Sequence, residues 1–175
     1  KERWGNLFSI KLDQNTQNRY VNTKLGYRES TGILSKFVGS GGQRILIDDP
    51  NDPNEFESQR VKVNEKYASG LATRINNPNE AVWVIIQQRT NEKDLSGYTE
   101  DEGDWVNLCL PMEFESRFAC TTSIGFKDPR RKEHELLWPQ RCSAESVTEI
   151  KKGIGTERGV AAQLQQHPVP HSGAI

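Results

Sequence analysis

Two apolar runs of the sequence each end in polar side chains whose types suit nucleotide chemistry. The first run, ILIDD at residues 45–49, ends in the acids Asp48 and Asp49. The second run, AVWVII at residues 81–86, is followed by QQR at residues 87–89. In open parallel sheets, ligands bind at the carboxyl ends of the strands. These two groups are therefore the first candidates for a functional site.

The acidic pair has the form of a Walker B strand. In such a strand the first acid, here Asp48, belongs to the Mg²⁺ shell of a nucleoside triphosphate, and the second, here Asp49, orients or deprotonates the attacking water. Phosphoryl transfer depends mainly on positioned charge, which requires a rigid strand end. A simple turn is the alternative, because Asp bonds its own backbone and Pro50 fixes the next φ. Residues 87–89 have an alternative interpretation too, as ordinary polar residues at the point where a buried strand reaches the surface.

The partner motif of a Walker B strand does not occur in the printed sequence. A phosphate-binding loop of the form GxxxxGK[ST] is found nowhere among the 175 residues. The glycine-rich stretch at residues 39–42 lacks the lysine, and GIG at residues 153–155 is not followed by Lys-Ser or Lys-Thr. We therefore expect either a loop encoded upstream of Lys1 or a protein that is not a P-loop ATPase.

The order of predicted elements indicates an α/β fold with a mostly parallel sheet flanked by helices. The two apolar runs are typical of strands buried on both faces. The sheet is predicted to be incomplete on its N-terminal side. Strands are predicted at residues 7–12, 19–22, 27–30, 32–38, 44–47, 81–86 and 105–110. Helices are predicted at 53–75, 143–152 and 156–166, and a short polar helix or turn at 94–102.

Composition excludes several classes of protein. The 23 basic and 24 acidic side chains give a net charge of -1, which argues against a basic nucleic-acid-binding arm. No apolar run reaches the length of about 18 residues that a membrane span needs. The three cysteines and three histidines lack the spacing of a zinc site, and an odd number of cysteines argues against a disulfide framework. A reducing, cytoplasmic compartment is expected.

A series of motifs, in a specific order, covers nearly the whole chain. The motifs are TQNRYVNT at 16–23, GYR at 26–28, ILIDDP at 45–50, TR at 73–74, VIIQQR at 84–89, ExDLSG at 92–97, WxxLxLP at 105–111, LWPxR at 137–141 and QxQQxP at 163–168. This ordered set resembles the large terminase subunit of tailed bacteriophages. That family pairs an N-terminal ATPase motor with a C-terminal nuclease of the RNase H type.

The resemblance implies a P-loop NTPase-like (Rossmann-like) domain. Residues 1–166 would be the C-terminal part of the ATPase domain, and residues 167–175 a linker toward a nuclease domain that lies outside the sequence. The Walker A loop and the nuclease carboxylates would both lie outside it too. The 175 residues alone are therefore predicted to show neither ATPase nor nuclease activity.

The resemblance also implies a role for each residue of the candidate site. Asp48 would bind Mg²⁺ through water, and Asp49 would stand at the catalytic position where many motor ATPases have Glu. The family's coupling motif, which senses the γ-phosphate, falls on Gln87, Gln88 and Arg89. We expect Gln87 to contact the nucleotide, Gln88 to act as the sensor and Arg89 to have a structural or relay role.

The function implied is ATP-driven packaging of double-stranded viral DNA into procapsids, with ATP and Mg²⁺ as cofactors. The implied partners are DNA, the portal protein and the small terminase subunit, with a homo-oligomeric ring on the portal, no membrane, and the host bacterial cytoplasm as location. A non-catalytic prophage remnant or interaction module is the main alternative, and an unrelated nucleotide-binding α/β domain is another. The basic cluster at residues 127–132 is compatible with DNA phosphate contacts or with a solvated loop. Trp83 and Trp138 are predicted to be core residues.

Overall fold

The structure, a computed structural model, describes residues 7–35 and 41–170. The chain divides into two compact units, Lys1–Ser40 and Gly41–Ile175. The described residues are mixed α/β, with a three-stranded antiparallel sheet and a two-stranded parallel sheet. The predicted α/β composition is therefore present, whereas the prediction of a mostly parallel sheet is wrong for these residues.

The first unit contains the antiparallel sheet, in the order β1 (Ile10–Asn15), β2 (Arg19–Asn22) and β3 (Tyr27–Glu29). The strand predicted at residues 7–12 lies three residues later, because β1 continues to Asn15 and the turn follows at Thr16, whose N–H donates to the Arg19 carbonyl. A turn joins the antiparallel pair β2 and β3, and in it the Leu25 N–H donates to the Asn22 carbonyl.

The predicted strand at residues 32–38 is not a strand where the structure describes it. Residues 33–35 lie in a turn, in which the Ser35 N–H donates to the carbonyl of Gly32. Residues 36–38 and the first two residues of the glycine-rich stretch, 39–40, lie outside the described residues.

The second unit contains the parallel pair β4 (Arg44–Asp48) and β5 (Val82–Ile86). Their register places Leu46 opposite Val84 and Asp48 opposite Ile86. The β-branched and aromatic residues that dominate β5 favour extended backbone. Both strands therefore form where the apolar runs predicted them.

Among residues 41–170, only one face of this parallel pair is covered, so the prediction of burial on both faces is wrong for this part of the chain. On the covered face Ile47 is 7% exposed, and Ile45, Trp83 and Ile85 are half-buried. On the other face the strands carry exposed apolar side chains, since no described element of the second unit covers it. These are Leu46, Val82, Val84 and Ile86.

Helix α1 (Glu57–Lys66) crosses over between the two strands, and a π-helical turn over Tyr67–Leu71 continues it. The predicted start at Pro53 is wrong because Asp52 closes a turn instead, its carboxylate accepting the Asn54 N–H at 2.8 Å. Val63 and Leu71 are buried, whereas Phe56 is 77% exposed at the helix start.

Helix α2 (Leu95–Glu102) begins and ends where its local signals predict. Asp94 caps its N-terminus by accepting the Gly97 N–H, and Gly103 ends it with φ 82 in the left-handed region. The prediction of a strand at residues 105–110 is wrong. These residues have no regular secondary structure, and Val106 and Leu108 are exposed.

Two helices form the C-terminal part, α3 (Ala144–Ile154) and α4 (Glu157–Gln163). Their N-caps are Ser143 and Thr156, as their sequence positions predict, but α4 ends three residues earlier than expected. The prediction that Trp138 is a core residue is wrong, since it is 56% exposed. No helix of the described ranges is long and apolar enough to cross a bilayer.

Packing around the covered face centres on Tyr67. Its ring meets those of Trp83 and Tyr98 edge to face, each with centroids 6.0 Å apart. Its hydroxyl donates to Glu102 at 3.3 Å, and burial raises the pKa of Tyr67. Because these rings belong to α2, β5 and the continuation of α1, they fix the helices against the strand that leads to residues 87–89.

Candidate nucleotide site at the strand ends

The carboxyl ends of β4 and β5 lie side by side. Asp48 is the last residue of β4 and is opposite Ile86, the last residue of β5. One residue further, the Asp49 N–H donates to the Ile86 carbonyl at 2.9 Å. The structure thus brings the acidic pair and residues 87–89 to one edge of the sheet.

Asp49 turns its side chain toward the end of β5. Its Oδ1 accepts the backbone N–H of Gln88 at 3.4 Å, a long hydrogen bond. Asp49 has φ 42, in the left-handed region, which Asp tolerates better than most residues because its short polar side chain can bond locally. An exposed carboxylate is therefore held at the strand end by backbone geometry and by one hydrogen bond.

The two glutamines differ in their surroundings. Gln88 is exposed, whereas Gln87 is half-buried. The Nε2 and Oε1 atoms of the Gln87 amide are both buried, and neither forms a hydrogen bond with the described residues. A buried amide without a partner is costly, so Gln87 is the side chain at this edge most in need of a polar ligand.

Arg89 is committed to an ion pair. Its Nε lies 3.0 Å and 3.1 Å from the two carboxylate oxygens of Asp94, which is fully buried, and its Nη1 lies 3.2 Å from Glu100. A guanidinium held in this way could reach a phosphate only by leaving a buried carboxylate unpaired, which is strongly unfavourable. Its surroundings therefore suit a structural or relay role better than phosphate contact.

Asp94 organises the loop that follows β5. Besides binding Arg89, its carboxylate accepts the N–H groups of Thr90 and Gly97, both at 2.9 Å. A Cβ at Gly97 would lie 1.9 Å from the Glu92 carbonyl oxygen, so the loop closes only around glycine. Asp94 therefore has two roles here, as the N-cap of α2 and as the partner of Arg89.

Two further side chains tie this edge to the rest of the unit, and the sequence reasoning missed both. Asn51, buried just after Pro50, accepts the Leu95 N–H at 2.9 Å and so joins the end of β4 to α2. Gln166, beyond α4, accepts the backbone N–H of Arg89 at 2.9 Å. Asn51 has no local signal beyond that of an ordinary turn residue. Gln166 is part of the QxQQxP motif at 163–168, but that motif does not indicate a contact with Arg89.

The donor set at this edge suits a magnesium-nucleotide complex better than a dedicated metal cage. Mg²⁺ binds proteins through one or two carboxylates together with substrate phosphates and water. Asp48 and Asp49 are both exposed and adjacent. No group of three or more His, Cys, Asp or Glu side chains suited to a metal occurs within residues 7–35 and 41–170.

One member of the basic cluster at residues 127–132, Arg130, is buried. Arg130 is 5% exposed, binds Asp128 through Nε and Nη2, and donates to the Pro111 carbonyl at 2.8 Å. This pairing lowers the pKa of Asp128. Lys127 and Lys132 remain exposed, so any phosphate contact here would depend on them and on Arg131.

Comparison of the chain with protein-family models and with curated proteins finds no match.

Proposed function

We propose that this chain is part of an ATP-driven motor that moves double-stranded DNA, of the type of the large terminase subunit, built on a P-loop NTPase-like domain. One observation carries the proposal. The acidic pair at the end of β4 and the two glutamines after β5 lie at one edge of the sheet, where the Gln88 backbone N–H donates to the Asp49 carboxylate. The ordered motifs supply the link to DNA packaging.

The roles of the residues follow from their surroundings. Asp48, exposed at the end of β4, would hold hydrated Mg²⁺ that accompanies ATP. Asp49 would orient the attacking water. A change in charge at the γ-phosphate would alter the hydrogen bond between Asp49 and the Gln88 backbone N–H. Gln87, whose buried amide has no partner among the described residues, would bind the nucleotide. Arg89 would keep this segment in place through Asp94.

The deciding experiment begins with the gene. We expect the DNA upstream of the Lys1 codon to encode, in frame, a GxxxxGK[ST] loop after a predicted strand. In a chain that carries this loop, Asp49→Ala should abolish DNA-stimulated ATP turnover, whereas Asp101→Ala, which removes an exposed acid on α2, should leave it intact. Unchanged turnover in Asp49→Ala would remove Asp49 from catalysis.

A non-catalytic remnant is the second candidate, because GxxxxGK[ST] does not occur in the printed sequence. A start codon and ribosome-binding site next to the Lys1 codon would favour it. Under the motor proposal the 175 residues alone show no hydrolysis, so turnover by the purified chain would contradict the assignment of the phosphate loop to an upstream segment.

A further inference from the structure

The segment that follows β5 is hydrogen-bonded to Gln166, three residues beyond the end of α4. The backbone N–H of Arg89 donates to Oε1 of Gln166 at 2.9 Å, across 77 positions of sequence. β5 ends at Ile86, so this bond lies three residues beyond the strand. It connects the candidate nucleotide edge to the C-terminal helices.

Gln166 is held in a fixed orientation for this contact. Its Nε2 donates to the carbonyl of Gln163 at 2.6 Å, and its backbone N–H donates to the carbonyl of Ala162 at 2.9 Å. Its φ of 59 is in the left-handed region, which is unfavourable for a residue with a Cβ. The amide therefore has one end anchored on α4 and the other presented to Arg89.

Arg89 is held from both sides. Its side chain binds Asp94 at the start of α2, and its backbone binds Gln166 after α4. Its neighbour Gln88 donates to Asp49. A continuous series of contacts thus runs from the Asp49 carboxylate through two consecutive backbone N–H groups to α4.

We propose that Gln166 is a positioning residue that holds residues 87–89 against Asp49 and transmits displacements of this segment to α4. The Gln88 and Arg89 N–H groups belong to consecutive planar peptide units joined at the Cα of Gln88, so any displacement of the first unit that rotation about this Cα does not absorb also moves the Arg89 N–H relative to Gln166. That nucleotide chemistry causes the shift rests on the proposed function. The connection itself is independent of nucleotide.

The connection can be tested by NMR-detected hydrogen exchange on the 175-residue chain. In Gln166→Ala the Arg89 amide should exchange about tenfold faster, because it loses its acceptor, while the amides of β5 stay protected. Gln163→Ala is the matched control, since the Gln163 contact uses its backbone carbonyl, and it should leave Arg89 unchanged. Should Gln166→Ala fail to fold, Gln166→Asn shortens the same amide by one methylene and should give the same acceleration. Unaltered Arg89 exchange in a folded variant would overturn the inference.

The transmission can be tested from the opposite end. Asp49→Asn removes the charge beside the Gln88 N–H and should shift the side-chain amide resonances of Gln166 but not those of Gln165, which binds Glu113 and Glu115 instead. A shift at Gln88 without one at Gln166 would overturn the relay. The proposed motor activity is tested separately, by ATP turnover in a chain that carries the upstream GxxxxGK[ST] loop. The proposal for Gln166 and the proposed function can therefore be refuted independently of each other.

Discussion

Oδ1 of Asp49 accepts the backbone N–H of Gln88 at 3.4 Å, although the two residues lie 39 positions apart. This bond joins the ends of two parallel strands whose polar residues were separate motifs in the sequence. It also depends on an unusual backbone, because Asp49 has φ 42. The acid at this position therefore serves both the geometry of the turn and the chemistry proposed for the site.

The two contributions of Asp49 can be separated by substitution. Asp49→Asn keeps an acceptor and a residue that tolerates the left-handed region, so the free energy of unfolding should change by less than about 0.5 kcal/mol. Asp49→Ala should cost about 1 kcal/mol because alanine has neither property. Urea unfolding of both variants measures the difference. Equal stabilities would show that the turn does not depend on the side chain of Asp49.

The pair formed by Arg89 and Asp94 should be the most sensitive point of this edge. Asp94→Ala leaves a largely buried guanidinium without its main partner and removes the cap of α2, so we expect a loss of about 3–5 kcal/mol in the free energy of unfolding. Glu100→Gln, which alters the more exposed partner of Arg89, should cost less than about 1 kcal/mol. Comparable losses in the two variants, measured by urea unfolding, would argue against a dominant role for Asp94.

Two glycine substitutions should change the stability of the fold in opposite directions. Gly97→Ala places a Cβ 1.9 Å from the Glu92 carbonyl oxygen, so we expect a loss of about 2 kcal/mol or more. Gly153→Ala lies within α3 and meets nothing within 4 Å, so the helix should gain about 0.5–1 kcal/mol. Thermal unfolding followed by circular dichroism measures both, and a stable Gly97→Ala protein would contradict the close approach.

Protonation of His167 should destabilise the fold. Burial lowers the pKa of His167 below the usual 6.5. Its ring lies against that of Phe118, tilted by 32° with centroids 3.7 Å apart, and its buried Nε2 has no hydrogen-bond partner among the described residues. The unfolded chain therefore takes up the proton first, so stability falls as the pH drops through about 6.5 toward the lower pKa of the folded state.

His167→Phe should remove this part of the pH dependence and keep the aromatic contact. His134→Gln, at an exposed position, is the matched control and should retain the dependence. Urea unfolding between pH 5 and pH 8 decides the matter, and identical profiles for the wild type and His167→Phe would exclude His167 as the source.

The elements that the sequence predicted well are those specified within a few residues. The strands β4 and β5 follow from their apolar runs, and α2 and α3 follow from the caps Asp94 and Ser143, because these signals act locally. The failed strand at residues 105–110 has a suitable pattern too. A strand also needs a partner in a ladder, and no pattern of single residues specifies one.

By itself, the sequence determined that two apolar strands with a crossover between them would end in acids and in amides, since side-chain type and spacing are enough for that. Only the tertiary structure decided that one sheet face stays exposed, that Arg89 belongs to Asp94, and that Gln166 reaches back to the Arg89 backbone. The open face and the bond to Gln166 depend on packing between elements distant in sequence. The pairing of Arg89 depends on how the loop after β5 closes, a geometry that the residue types alone do not fix.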